Sequence, residues 1–168
     1  VMVLSLCEIT LGQSTPAKAA IGLQNPTTNG NGVTTWDCIY FGNYYQSNSS
    51  TKEPIKWRVL SVNGDDMYLL SEKNLDVQQF NDKEQNESGI RVEWQDSSLN
   101  QWLNQSFLKT AFSDDEQAAI IGTTEKVSLL SESEIKDKKY ELSTIEACKT
   151  KETSYVNQLS GNESDEVN

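Results

Sequence analysis

No histidine occurs among the 168 residues. Nucleophilic catalysis by a Ser-His or Cys-His pair is therefore excluded, because no imidazole is present to take the proton. Ser71 beside Lys73 is the nearest approach to a Ser-Lys pair, and its setting reads as a strand end and turn. Carboxylates adjoin at Asp65/Asp66 and at Asp114/Asp115/Glu116. A glycosidase needs two acids facing each other across a cleft, one of them with a raised pKa. Adjacent acids at a turn or a helix start act instead as caps and as partners of the helix dipole. Calcium asks for several oxygens, and the loop NDKEQNE offers Asn81, Asp82, Glu84 and Glu87. It lacks the D-x-[DN]-x-[DN]-G order and reads as a solvated loop. There is no phosphate-binding glycine loop and no basic stripe. The triplets at Asn48, Asn86 and Asn104 match N-x-[ST] and carry little meaning. Two cysteines, Cys38 and Cys148, follow an early Cys7. Without histidine the pair cannot build a structural zinc site. In a secreted chain the two either bridge or stay as buried thiols. The sequence thus assigns no catalytic, cofactor-binding, metal-binding or ligand-binding residue.

The formal charge is −11 and the isoelectric point near 4.4. So acidic a surface argues against nucleic acid and anionic membranes as partners. The length suits one domain. Mean hydropathy is −0.60, yet four Trp, six Tyr and four Phe can furnish a core.

The elements that must do the positioning centre on Trp94 to Gly122. Leu99, Trp102, Leu103 and Phe107 recur at helical spacing, with Asp96 or Ser97 as N-cap. Ser113 and Glu116 form a capping box for a second helix through Ile121, with Ala118, Ile120 and Ile121 turned inward and Gly122 as its stop. Trp94, Trp102, Phe107 and Phe112 are expected to fill the core rather than to stack on a ligand.

Residues 1–20 read as a leader: an apolar run, then an A-x-A pattern at Ala17 to Ala19 with cleavage after Ala19 or Ala20. Residues 21–35 read as a Gly/Asn/Thr-rich linker. A first strand is expected over Trp36 to Phe41 with a turn at Gly42. Ile55 to Val62 alternates with period two, a half-buried strand. A turn at Asn63, Gly64 and Asp65 returns it along Met67 to Leu70. Ser71 to Phe80 suggests a helical turn with Leu75 and Phe80 inward. Val127 to Leu130 reads as a strand. Capping boxes at Ser131/Glu134 and Ser143/Glu146 mark 131–150 as helical and polar, and 158–168 as a disordered tail.

WQDSSLNQWLNQSFLKTAFSDDEQAAI (94–120) resembles the signature of a bacterial family of secreted proteins, the domain of unknown function numbered 6273, which reads roughly W-x-x-S-x-L-R-x-W-L-N. WDCIYFGNYYQ (36–46), EPIKWRVLSV (53–62), NLDVQQFN (74–81), TTEKVSLLSESEI (123–135) and ETSYV (152–156) agree in order. Asn100 departs from it, standing where the family usually carries Arg. The resemblance implies an α+β domain over 36–157, similar in layout to C-type-lectin-like folds, with a small antiparallel sheet and two to four short helices. It also implies further C-terminal strands beyond ETSYV, so an incomplete sheet of marginal stability is expected. The function expected is a non-catalytic secreted or cell-surface module that binds glycan or protein, without cofactor. A purely structural module and an enzyme related to formylglycine-generating oxidases are the alternatives.

Overall fold

The computed structural model describes residues 2–3, 5–10, 26–82, 92–144, 147 and 149–162. Its spine is strand β6 (Lys52–Asn63), which pairs antiparallel with β5 (Cys38–Tyr45) on one side and β7 (Asp66–Ser71) on the other. The β6–β7 connection is the two-residue turn Gly64-Asp65, with Gly64 at φ 62°. Positive φ is a conformation glycine adopts without steric cost, and it suits the tight hairpin expected there. The full sheet has five strands in the order β10-β2-β7-β6-β5, where β2 is Ser5–Thr10 and β10 is Val127–Leu129. Small pairs complete the strand set: β1 (Met2–Val3) with β9 (Asp76–Val77), β3 (Thr27–Thr28) with β4 (Thr34–Thr35), and β8 (Lys73–Asn74) with β11 (Lys151–Glu152). The domain is therefore α+β, as expected.

Three stretches in the chain's outer parts carry secondary structure. Residues 5–10, read as leader, are paired as β2 between β7 and β10. Cleavage at Ala19 or Ala20 would remove that strand and leave β7 and β10 without a shared neighbour. Residues 27–35, read as linker, close a hairpin whose threonines pair across it, Thr28 to Thr34 at 2.9 Å. Ser154–Asn162 is helical, so the segment read as a tail from 158 is helix as far as 162.

Ile55, Trp57 and Val59 are buried on one face of β6, as period two requires. Arg58 and Leu60 are buried as well, against expectation. The reason is that both faces are covered. The helical stretch packs on the first, and Tyr140 and Leu142 join Leu60 and Leu70 on the second. The polar segment after 131 thus supplies two anchors that its composition hides. Ser71 to Phe80 makes β8 and β9 rather than a helical turn; Leu75 is buried but Phe80 is 36% exposed.

The central stretch runs as Ser98–Trp102 in α-helix, a π turn over Leu103–Phe107 and Leu108–Ala111 in α-helix. Ser97 is the N-cap, accepting from the Asn100 amide at 3.1 Å. Phe112 breaks into extended backbone, and the Ser113/Glu116 capping box then opens the helix Asp114–Ala119. That helix stops before Ile120, so Ala118 faces solvent and Ile121 is 37% exposed, while Ile120 is buried. Leu99, Leu103, Phe107 and Phe112 are core. Trp94 and Trp102 are half-buried against that core.

Two polar side chains lock this layer to the sheet. Asn104, on the π turn, accepts from the amides of Lys126 (2.7 Å) and Val127 (3.0 Å) and donates to the Val127 carbonyl (2.9 Å). Its amide thereby stands in for a strand beside β10. It also donates to Asn100 Oδ1 at 2.8 Å, a bond back along the same helical stretch. Glu116 closes its own capping box and accepts the Gly42 amide at 3.0 Å. Gly42 is not a turn. It sits at a bulge inside β5, where the register shifts between Tyr40 and Asn43, at φ 69°. A Cβ there would lie 2.6 Å from the Phe112 ring and 2.8 Å from the Ala111 carbonyl.

Gly42→Ala is expected to destabilise the fold by about 3 kcal/mol, combining strain at positive φ with overpacking against Phe112. Urea unfolding of parent and variant measures it. Removal of residues 1–20 exposes the β7 edge and is expected to lower the unfolding midpoint and broaden the transition. An unchanged midpoint would show that β2 is dispensable.

Candidate functional site

Arg58 lies in the middle of β6, and its buried charge has to be met within the fold. Its Nε donates to Glu72 Oε2 at 2.6 Å and one Nη to Glu72 Oε1 at 3.4 Å. The two Nη groups reach the carbonyls of Ala147 (3.0 Å) and Lys149 (3.1 Å). The Trp36 ring lies against the guanidinium, 5.0 Å from ring centroid to Cζ. Arg58 therefore ties the sheet to a segment more than eighty residues away, and that segment leads into β11.

β11 then pairs parallel with β8, setting Lys151 opposite Lys73 and Glu152 opposite Asn74. Thr150 Oγ1 donates to Asn74 Oδ1 at 3.2 Å and fixes the approach. Between β6, β8 and residues 149–151 opens a cavity of about 450 Å³, lined by Arg58, Glu72, Lys73, Lys149, Thr150 and Lys151. That volume is ordinary for a small-molecule site. A second hollow of about 430 Å³ lies along β10, lined by Trp94, Glu125, Leu129, Leu130 and Glu134 among others.

The residues singled out for chemistry fall elsewhere or into structural roles. Ser71 is buried at the end of β7, and Lys73 lines the cavity. Asp65 is in the hairpin turn; Asp114, Asp115 and Glu116 occupy the first turn of their helix. Asn81 Oδ1 accepts the Ser98 amide at 3.2 Å, and the Asp82 amide donates to Ser98 Oγ at 2.8 Å, so this end of the acidic loop caps a helix. Glu84 and Glu87 lie outside the described residues. Asn48 organises its own turn, accepting from Ser50 and Thr51. Cys38 is a free thiol whose pKa burial pushes up; Cys148 lies outside the described residues. Glu146 does too, and Thr144 Oγ1 accepts the Ala147 amide beside it.

One buried acid went unnoticed in the sequence. Asp76 is 2% exposed and accepts from the Tyr44 hydroxyl at 2.5 Å, the Val77 amide at 2.7 Å and Gln78 Nε2 at 3.1 Å. Burial raises its pKa, against the lowering by those three donors. Burial and the Asp76 contact likewise push the Tyr44 hydroxyl well above its usual range. Asp76 is among the groups raising Tyr155 too. This network lies in the aromatic interior, with Tyr44 against Phe107 at 4.9 Å and Tyr155 at 6.3 Å. It serves cohesion.

The lysines of the cavity were missed because they come from distant parts of the chain. Lys149 and Lys151 are two apart, which in extended backbone puts them on one side. Nothing in the sequence brings Lys73 to them.

The sequence model of the family described as domain of unknown function (DUF6273) matches residues 64–167. The chain belongs to that family. No curated protein and no solved structure matches it. In this DUF6273 chain the match covers β7, the central helices and the three lysines of the cavity. It starts after β5 and β6. No helix among the described residues is long and apolar enough to cross a membrane.

A carboxyl whose folded pKa is raised holds its proton to higher pH than in the unfolded chain. Its favourable contribution is present at low pH and is lost as pH rises through the raised value. Asp76→Asn removes that dependence. Relative to the variant, the parent is therefore expected to gain stability as pH falls from about 7 to about 4, read from paired thermal midpoints.

Proposed function

We propose that the domain is a non-catalytic binding module, secreted or held at a bacterial cell surface, that takes a glycan or protein ligand. The observation that carries this reading is the cavity beside Arg58, whose wall is built from polar and charged side chains. A rigid floor supports it, since Arg58 fixes the Lys149 carbonyl and Thr150 fixes Asn74. A preorganised rim of this kind lowers the ordering cost of binding. A layout similar to C-type-lectin-like folds, with helices on a small antiparallel sheet, agrees with a binding role by analogy. A purely structural module is the second reading, favoured by the burial of Phe107 and Phe112 inside the molecule.

A glycan array probed with the full-length protein tests the proposal, with a parallel screen against extracellular proteins. Saturable binding to a defined set of structures is expected. Silence in both formats favours the structural module.

A further inference from the structure

Resting on the reading of this cavity as the ligand site, we propose that it binds an anionic group, a carboxylate or sulfate carried on a sugar. The strand register sets Lys73 directly opposite Lys151 on neighbouring parallel strands. Like charges placed opposite each other in a sheet repel and destabilise the pairing. Among the described residues no ion pair engages either lysine. Lys149 lines the same cavity, while the charge of Arg58 is met by Glu72 at 2.6 Å. The surplus positive charge is therefore that of Lys73 and Lys151.

This concentration is unusual for the chain. It has 14 basic against 25 acidic residues. An anion between Lys73 and Lys151 takes hydrogen bonds from both ammonium groups and removes their repulsion. Lysine ammonium groups are compact point charges without the planar fork of arginine. They accept the trigonal carboxylate and the tetrahedral sulfate alike, which is why the shared chemistry is named here. The cavity volume of about 450 Å³ leaves room for the ring that carries the group. The hydroxyl of Thr150 and the carboxylate of Glu72 lie in the same wall and can meet sugar hydroxyls.

The full chain is titrated with sodium glucuronate, sodium sulfate and glucose, each against sodium chloride at equal ionic strength to remove general screening. Amide resonances of residues 72–74 and 149–151 are followed with the thermal midpoint. Glucuronate, sulfate or both are expected to shift those resonances and raise the midpoint, and the one that acts identifies the source of the charge. Glucose alone is expected to do neither. Lys73→Gln and Lys151→Gln are each expected to weaken the effect about tenfold. Each variant is also expected to melt higher than the parent at low ionic strength without anion, because the facing charges are relieved. Lysines that are merely solvated give no such rise. Shifts spread over exposed lysines such as Lys109, or a response unaltered in both variants, would overturn the proposal. Array binding that ignores both substitutions and prefers neutral sugars overturns the anion site while sparing the binding module. A silent array with cavity-confined glucuronate or sulfate shifts does the reverse.

Discussion

A strand covered on both faces cannot carry a charge unless the fold meets it, and Arg58 on β6 is such a charge. Its guanidinium is met by Glu72 and by two backbone carbonyls from residues 147 and 149. Leaving it unmet would cost several kcal/mol. This one requirement draws a distant segment onto the sheet and aligns β11 beside β8. The cavity is a by-product of that docking. Its lysines are exposed, but the backbone that presents them is fixed from below by a buried group.

The same economy recurs on the other face. Asn104 spends a side-chain amide as a surrogate strand against β10, and Glu116 caps its helix while holding the bulge at Gly42. An edge strand presents unpaired amides and carbonyls that invite association. Here part of the β10 edge is closed by a side chain, and on β5 the Phe41 carbonyl accepts from Trp57 Nε1 at 2.7 Å. Helix layer and sheet are joined by directional bonds as well as by the Phe107–Phe112 core. Asp76 on β9 adds a tie between strands, satisfied by Tyr44 of β5 thirty-two residues away.

Residues 5–10 carry two incompatible signals. As sequence they are a short apolar run ahead of an A-x-A pattern. As structure they fill the position between β7 and β10, two strands that do not pair with each other. An apolar, extended segment satisfies both descriptions, since leaders and sheet strands draw on the same residues. Local pattern alone does not separate the two, because the difference lies in whether a partner edge is waiting.

Local rules were legible in the sequence because their causes are local. The Ser97, Ser113 and Ser131 caps, the Gly64 hairpin, the 98–111 helical face and the inward row Ile55, Trp57, Val59 all follow from side chains within a few residues of one another. Membership of the family, whose match covers the central helices, was legible for the same reason. What tertiary structure decided was everything that depends on a second surface. That includes the burial of Arg58 and Leu60, the outward turn of Ile121 and Phe80, the bulge at Gly42, and the helix over 154–162. The cavity belongs to this group too, because Lys73 and Lys151 meet only through strand pairing between segments far apart in the chain. Periodicity shows which side of an element is apolar; only packing shows what stands opposite it.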